Sequence, residues 1–297
     1  MKNIILGTDW WTDCDDCVAL RLLTNAHKSG DIRLLGVVIN ACAEQSVASL
    51  DAFLHLDGCG GIPIGIDTEA TDFCGTLRYQ PRLAEKATRY LSNDSAEGGV
   101  ALYRRLLAEA REPVEMIEIG FLNTFASLLA SAPDDISELD GASLVKEKVS
   151  KMWVMAGKWD KDGESEHNFA YTPRSIAGGA DFLEKCPVPV TFLGWEVGFG
   201  VITGGEILDT GDHLYMAMAD HGSSKGRHSW DPMTVLMALI GDEAAAGYRT
   251  VRGRASLSRT DGTNYFSKEE SGPHAFVVKT MPDDYYKDLI NSRIALL

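Results

Sequence analysis

The 297-residue sequence contains no unbroken apolar run near the roughly 18 residues of a membrane-spanning helix, and no charged-then-apolar leader opens it. Neither a membrane nor a secretory route is therefore expected, and the cytoplasm is the expected location. Positive charge is in short supply. Lys and Arg number 28 against 43 Asp and Glu, a formal net charge of −15. A nucleic-acid groove needs a basic stripe to neutralise phosphates, so nucleic acid is excluded as a partner, and a metal cation or a neutral small molecule suits the chain better. Internal repeats, low-complexity tracts and linkers are missing too, and residues 1–297 read as one domain. Cysteine is sparse and scattered. Cys14, Cys17, Cys42, Cys59, Cys74 and Cys186 lie in a chain too large to need disulfide staples, so free thiols are expected. Cys14 and Cys17 form a C-x-x-C with no second pair to complete a zinc site. The carboxylates beside them oppose the thiolate that a redox pair needs.

What the sequence does have is a strand and helix rhythm. Lys2 to Asp9 reads as a short apolar strand, Asp16 to Lys28 as a helix, Ile32 to Asn40 as a second buried strand and Ser46 to Leu56 as a second helix. Crossovers of this length suit parallel pairing. Further strands are expected at Ile62 to Ile66, Val114 to Ile119, Lys151 to Met155 and Val188 to Leu193, with helices at Gly98 to Ala110, from Asn123, at Pro173 to Leu183 and at Asp231 to Ile240. The fold class is α/β, a mainly parallel sheet flanked by helices. Gly247 to Leu257 and Ala275 to Lys279 read as strands of a small antiparallel C-terminal addition, with a turn at Ser271 to His274 between them. Polar loops at Thr68 to Tyr79 and Gly157 to Asn168 fall at the end of the sheet where ligand sites of such folds gather.

The most informative segment is IILGTDWWTDCDDCVAL, in which Asp9 closes the first strand and Asp15 and Asp16 open the helix. Asp9, Asp13, Asp15 and Asp16 put four carboxylates within eight residues. Buried together they would repel strongly, and a bound cation removes that conflict. Hard oxygen donors favour calcium or magnesium over zinc or copper. Capping of the helix N-terminus accounts for one or two of these acids, not for all four beside a buried strand.

This pattern resembles the aspartate signature of the inosine-uridine preferring nucleoside hydrolases, D-x-D-x-G-x-D-D-A, in a longer variant with two extra residues before the paired aspartates. Gly7 stands in place of the first Asp, Trp11 in place of the Gly and Cys17 in place of the small residue after the pair. Three further segments resemble the same family in the right order. Ile119 to Ala126 is similar to G-P-L-T-N-[LI]-A, Glu166-His167-Asn168 after Met152 to Gly157 is similar to the E-[FW]-N ribose segment, and Ser229 to Pro232 is similar to the H-D-P segment. The resemblance implies a nucleoside hydrolase-like, Rossmann-related fold and hydrolysis of the N-glycosidic bond of a ribonucleoside or related riboside. It implies calcium, with magnesium second, bound by Asp9, Asp16, the Asn123 carbonyl and Asp231. It also implies a metal-bound water deprotonated by Asp15, and a homo-oligomer, dimer or tetramer.

Asp13 competes with Asp15 for the role of base because its spacing from Asp9 equals that of the shorter signature. The adjacent pair favours Asp15. Asn40, Glu166, Asn168, His228 and Trp230 are expected to contact substrate, although Asn40, Glu166, Asn168 and His228 also read as ordinary turn, loop or surface residues, and Asp231 before Pro232 also reads as a helix N-cap. Trp230 stands where many purine-cleaving relatives place a histidine that protonates the leaving base. Tryptophan can stack on a base but cannot supply that proton, which leaves His228, Arg227, His167 or Tyr265 as substitutes, or departure with little acid help. Trp10 and Trp11 either line the site, pack beneath the helix or serve a subunit contact. Two alternatives stand beside the hydrolase: a calcium- and riboside-binding protein on the same scaffold, and a haloacid dehalogenase-type phosphatase, whose D-x-D-x-[TV] the segment lacks.

Overall fold

The structure, a computed structural model, describes residues 1–73 and 75–295. Its first half alternates strand and helix: β1 (Lys2–Thr8), α1 (Asp15–Ser29), β2 (Ile32–Ile39), α2 (Ser46–Leu56), β3 (Ile64–Ile66), α3 (Gln80–Ala84), β4 (Glu97–Gly98) and α4 (Gly99–Glu109). The middle continues with β5 (Val114–Glu118), α5 (Asn123–Leu129), α6 (Gly141–Lys148), β6 (Val149–Met155), β7 (Glu164–Ser165), α7 (His167–Ala170), α8 (Pro173–Lys185) and β8 (Val190–Leu193). Then follow α9 (Trp195–Gly198), β9 (Ile202–Thr203), α10 (His213–His221), β10 (Arg227–His228), α11 (Trp230–Ile240), β11 (Tyr248–Leu257), β12 (Thr263–Lys268), β13 (His274–Lys279) and α12 (Asp283–Asn291).

Eleven strands form one sheet in the order β4-β3-β2-β1-β5-β6-β8-β13-β11-β12-β7. From β4 to β13 the pairings are parallel, and β11, β12 and β7 complete the sheet antiparallel. Strands buried on both faces need apolar residues at every position, which is why β1 and β2 read as near-continuous apolar runs. Two apolar layers result. Leu6, Val37 and Ile117 face one, against α1, α2 and α11, while Ile5, Val38 and Met116 face the other, against α4 and α5.

The C-terminal strands extend this same sheet. β12, unrecognised in the sequence because its exposed polar residues mask the alternation, follows β11 and precedes β13 in the chain, so the turn near Ser271 joins β12 to β13, while in the sheet β11 lies between them. β12 also pairs with β7, which belongs to the loop after β6, so the antiparallel edge buttresses that loop. The carboxyl ends of β1, β2, β5, β6 and β8 lie side by side and deliver Asp9, Asn40, Gly120, Gly157 and Trp195 to one edge of the sheet. Helix α1 is fixed there by Arg21, fully buried, whose guanidinium bonds Asp57 at 2.8 Å and Asp212 at 2.8 and 2.9 Å. Cys14, Cys17, Cys42, Cys59 and Cys186 are free thiols, and Cys74 lies outside the described residues.

Candidate active site

At the carboxyl edge a cavity of about 250 Å³ opens above the turn between β1 and α1. Its floor is acidic. Asp15, Asp16 and Asp231 are buried, and each offers a carboxylate oxygen within 4.8 Å of the others. Asp9 and Asp13 line the same space. Asp15 Oδ2 accepts the Asp231 backbone N–H at 3.1 Å, which ties the start of α1 to the start of α11, 216 residues later. Asp16 Oδ1 accepts from the Thr8 hydroxyl and from the Trp10 N–H. Among the described residues no side chain of this cluster caps α1, whose N-cap Cys14 makes no capping bond, so capping does not explain the acids. Asp231 is likewise a first-turn residue of α11, with Ser229 at the cap.

Desolvation and crowding by like charges set the electrostatics. Desolvation, then Asp15 and Asp13, push Asp9 up to about 8. Burial and neighbouring aspartates also push Asp15, Asp16 and Asp231 well above the usual carboxylate range. Asp13 moves the other way. Despite its burial, hydrogen bonds from Arg227 at 2.9 and 2.6 Å hold it low. Among the described residues no cationic side chain forms an ion pair with Asp9, Asp15, Asp16 or Asp231. A set of buried, unpaired hard-oxygen donors that converge from two distant segments fits calcium or magnesium.

The opposite wall comes from the loop after β6. Glu166 caps α7, accepting from the Asn168 N–H at 3.0 Å and from the Gly157 N–H at 2.8 Å, and burial pushes it up to about 7. Gly157 has a φ of 81°, and a side chain there would run into Trp159. Asn168 donates through Nδ2 to the Met155 carbonyl at 2.9 Å and to the Ile119 carbonyl at 3.4 Å. A third wall is aromatic: Trp195 and Trp230 stack at 6.3 Å, the Trp230 indole N–H is spent on the Trp195 carbonyl at 3.0 Å, and the Arg227 guanidinium covers the Trp230 ring at 5.2 Å.

The two tryptophans of the turn separate. Trp10 adopts a φ of 45°, buries its ring against Phe53 and Tyr79 and donates through Nε1 to Ser49 Oγ at 2.9 Å, so it packs beneath the helix layer. Trp11 joins Phe73, Phe121, His167 and Tyr171 in an aromatic cluster beside the cavity. The glycine at position 7 also finds its reason. A Cβ there would lie 1.9 Å from Glu118 Oε2, because Glu118 is its register partner on β5 and fills the space with a fully buried carboxyl group. Tyr103 donates to Glu118 Oε1 at 2.7 Å, Oε2 has no partner, and burial pushes the group up to about 8.

Of the residues expected from the sequence, Asp9, Asp15, Asp16, Asp231, Glu166, Asn168 and Trp230 line one cavity. Asn40, Asn123 and His228 do not. Asn40 Oδ1 accepts the Phe121 N–H at 3.0 Å while its Nδ2 is buried without a partner, and Asn123 Nδ2 reaches the Asn40 carbonyl at 3.2 Å and Asp67 at 3.0 Å. These bonds hold the loop after β5 against the acidic turn, where a Cβ on Gly120 would lie 2.3 Å from the Asp9 nitrogen. His228 stacks on Phe199 at 4.7 Å and accepts the Gly200 N–H at Nδ1. Tyr265 sits exposed on β12. The cavity-lining Trp195 was not foreseen, although its place directly after β8 is the signal that marks it.

No family model matches the chain, and no curated protein matches it either. Solved structures do resemble it. A plant nucleoside hydrolase superposes with a TM-score of 0.73 at 13% identity over 99% of this chain and 98% of that one. A purine-preferring ribonucleoside hydrolase from Gardnerella vaginalis gives 0.72 at 16% identity over 99% and 98%. The type III effector protein XopQ, solved in complex with adenosine diphosphate ribose, gives 0.67 at 16% identity over 99% and 93%. The likeness at these identities is one of fold, and this chain has the nucleoside hydrolase fold.

Proposed function

We propose that this chain hydrolyses the N-glycosidic bond of a ribonucleoside or related riboside, releasing base and ribose. The observation that carries the reading is the convergence of Asp15, Asp16 and Asp231 within 4.8 Å at the floor of a cavity whose opposite wall holds Glu166 and Asn168. Asp9, Asp16 and Asp231 would hold calcium, or magnesium less well, with the main-chain carbonyl of Asn123, whose side chain turns away to Asn40 and Asp67, as a further donor from beneath the lining, and such a cation would lower the pKa of water at the site. Asp15 takes the proton of the attacking water, whose oxygen goes to the anomeric carbon as the bond to the base breaks. Each Glu166 oxygen accepts one backbone N–H and keeps a lone pair for a sugar hydroxyl, and Asn168, its Nδ2 committed, offers Oδ1. Trp195 and Trp230, already stacked on each other, give the base an apolar wall to pack against.

A second assignment exchanges Asp9 and Asp15. It is favoured by the membership of Asp15, and not Asp9, in the carboxylate trio that converges within 4.8 Å. Asn variants at the two positions separate them, since the ligand variant loses the cation and the base variant keeps it. The hydrolase fold supports the overall reading, because the neighbours just described include two hydrolases of nucleosides. Incubation of the purified protein with calcium and a panel of nucleosides, with free ribose as the readout, is the direct test. Ribose release is expected. Calcium-dependent binding without ribose from any nucleoside would make the chain a riboside-binding protein.

A further inference from the structure

We infer that His167 is the acid that protonates the departing base, an inference that rests on the hydrolase reading above. A heterocyclic base leaves poorly as an anion, so cleavage is faster if a proton reaches it as the bond breaks. The cavity's carboxyl groups are taken up in the proposed reaction by the cation, the attacking water and the sugar hydroxyls, and the other lining groups able to deliver one are few. Arg227 has Nε and one terminal nitrogen on Asp13, and a guanidinium does not release its proton near neutral pH. The Trp230 N–H is bound to the Trp195 carbonyl, the indole of Trp195 is a hydrogen-bond donor only, and Asn168 spends its Nδ2 on main-chain carbonyls. His228 lies outside the lining with Nδ1 accepting from Gly200.

His167 is different on each count. It lines the cavity, and among the described residues neither of its ring nitrogens has a hydrogen-bond partner. Its place in the chain puts it between the two residues proposed to hold the sugar, as the first residue of α7. Its ring is held by face contacts, stacked on Trp11 at 6.4 Å and 21° and tilted against Tyr171 at 4.5 Å and Phe121 at 5.6 Å. Stacking uses the faces of an imidazole, and the nitrogens lie in its plane, so the contacts that fix the ring leave the proton donor available. Partial burial works against the charged form and leaves its pKa below the ordinary histidine value, while Asp13, the charged group it faces, favours the imidazolium. A lowered value makes the imidazolium a stronger acid and confines its action to the acid side of neutrality.

The C1′–N bond breaks with its electron pair on the base, the His167 N–H proton goes to a ring nitrogen of that base, water oxygen bonds to C1′ and the water proton goes to Asp15. Asp15 then loses its proton to solvent and His167 regains one, so each turnover consumes one water.

The test compares inosine with 4-nitrophenyl riboside, whose phenolate needs no protonation to leave, in the wild type and in His167→Phe, which keeps the face contacts, with His167→Gln as a second variant. Both variants are expected to lower kcat on inosine ~100-fold relative to kcat on 4-nitrophenyl riboside, and the fall of kcat on inosine at high pH is expected to vanish with the histidine. A parallel loss on both substrates would reduce His167 to a packing role, and an unchanged ratio would overturn the inference. Failure of the wild type to cleave either riboside would instead overturn the hydrolase reading, and the acid with it.

Discussion

Replacement of Glu118 by Gln offers a measurement of the chemistry beneath the acidic turn. Glu118 is fully buried, its carboxyl is pushed up to about 8 from 4.5 by burial against the single hydrogen bond from Tyr103, and no charge of the aspartate cluster contributes to the shift. In the unfolded chain it ionises near its ordinary value. Between the two values the folded protein holds a proton that the unfolded chain has released, so stability falls as pH rises through this window. The loss amounts to about 1.4 kcal/mol per pH unit, on the order of 3 kcal/mol by pH 7. Gln does not titrate, its carbonyl accepts from Tyr103 as Glu Oε1 does, and its amide occupies the place of the unpartnered Oε2. Urea unfolding of both proteins at saturating calcium, at several values from about pH 5 to about pH 8, compares them while the aspartates contribute equally and cancel. The variant is expected to gain on the wild type steadily with pH, by on the order of 3 kcal/mol over about two and a half units. A difference constant across the range would refute the raised pKa and with it the view that a neutral carboxyl fills the space beside Gly7.

Asp16→Ala is expected to lose bound calcium, whereas Asp15→Asn is expected to keep the metal and lose turnover. Metal analysis of the two variants decides this, and calcium retained by the Asp16 variant would count against the assignment. Chelation should lower the melting temperature more at about pH 8 than at about pH 5. Asp9, Asp15, Asp16 and Asp231 all have raised values in the cation-free fold, so that form weakens as pH rises and the cation relieves the repulsion. Thermal melts with and without calcium across that range would show no pH trend if the acids were not coupled to the metal. Gly120→Ala places a methyl 2.3 Å from the Asp9 nitrogen and 2.7 Å from Asn40 Oδ1. It is expected to cost about 1–3 kcal/mol of stability and to reduce turnover by shifting Asp9, as urea titration and ribose release would report.

Much of the fold was legible because its causes are local. Apolar runs of strand length followed by helical spacing describe elements buried on both faces or on one, and the observed boundaries fall close to the expected ones from β1 through β8. β12 escaped because four of its six residues are polar and its neighbours in the sheet, not its own pattern, define it. The acidic turn was legible for the same local reason: Asp9, Asp13, Asp15 and Asp16 crowd one short segment whatever the rest of the chain does.

Pairing across long separations was not. Nothing near Asp13 shows that Arg227, 214 residues away, neutralises it and so divides it from Asp15, with which the sequence alone left it in competition. The absence of a side chain at Gly7 reads as a lost acid until the sheet places Glu118 beside it. Trp10 and Trp11 are adjacent in sequence, yet one anchors the core and the other joins the cluster that holds His167. The sequence by itself determined the element types and a concentration of carboxylates at a strand end, since periodicity and local charge density are properties of neighbouring residues. Only the tertiary structure decided which acids are paired, which are buried without counter-charge and which proton donor is left free, because burial and hydrogen bonding depend on groups that folding brings together from distant segments.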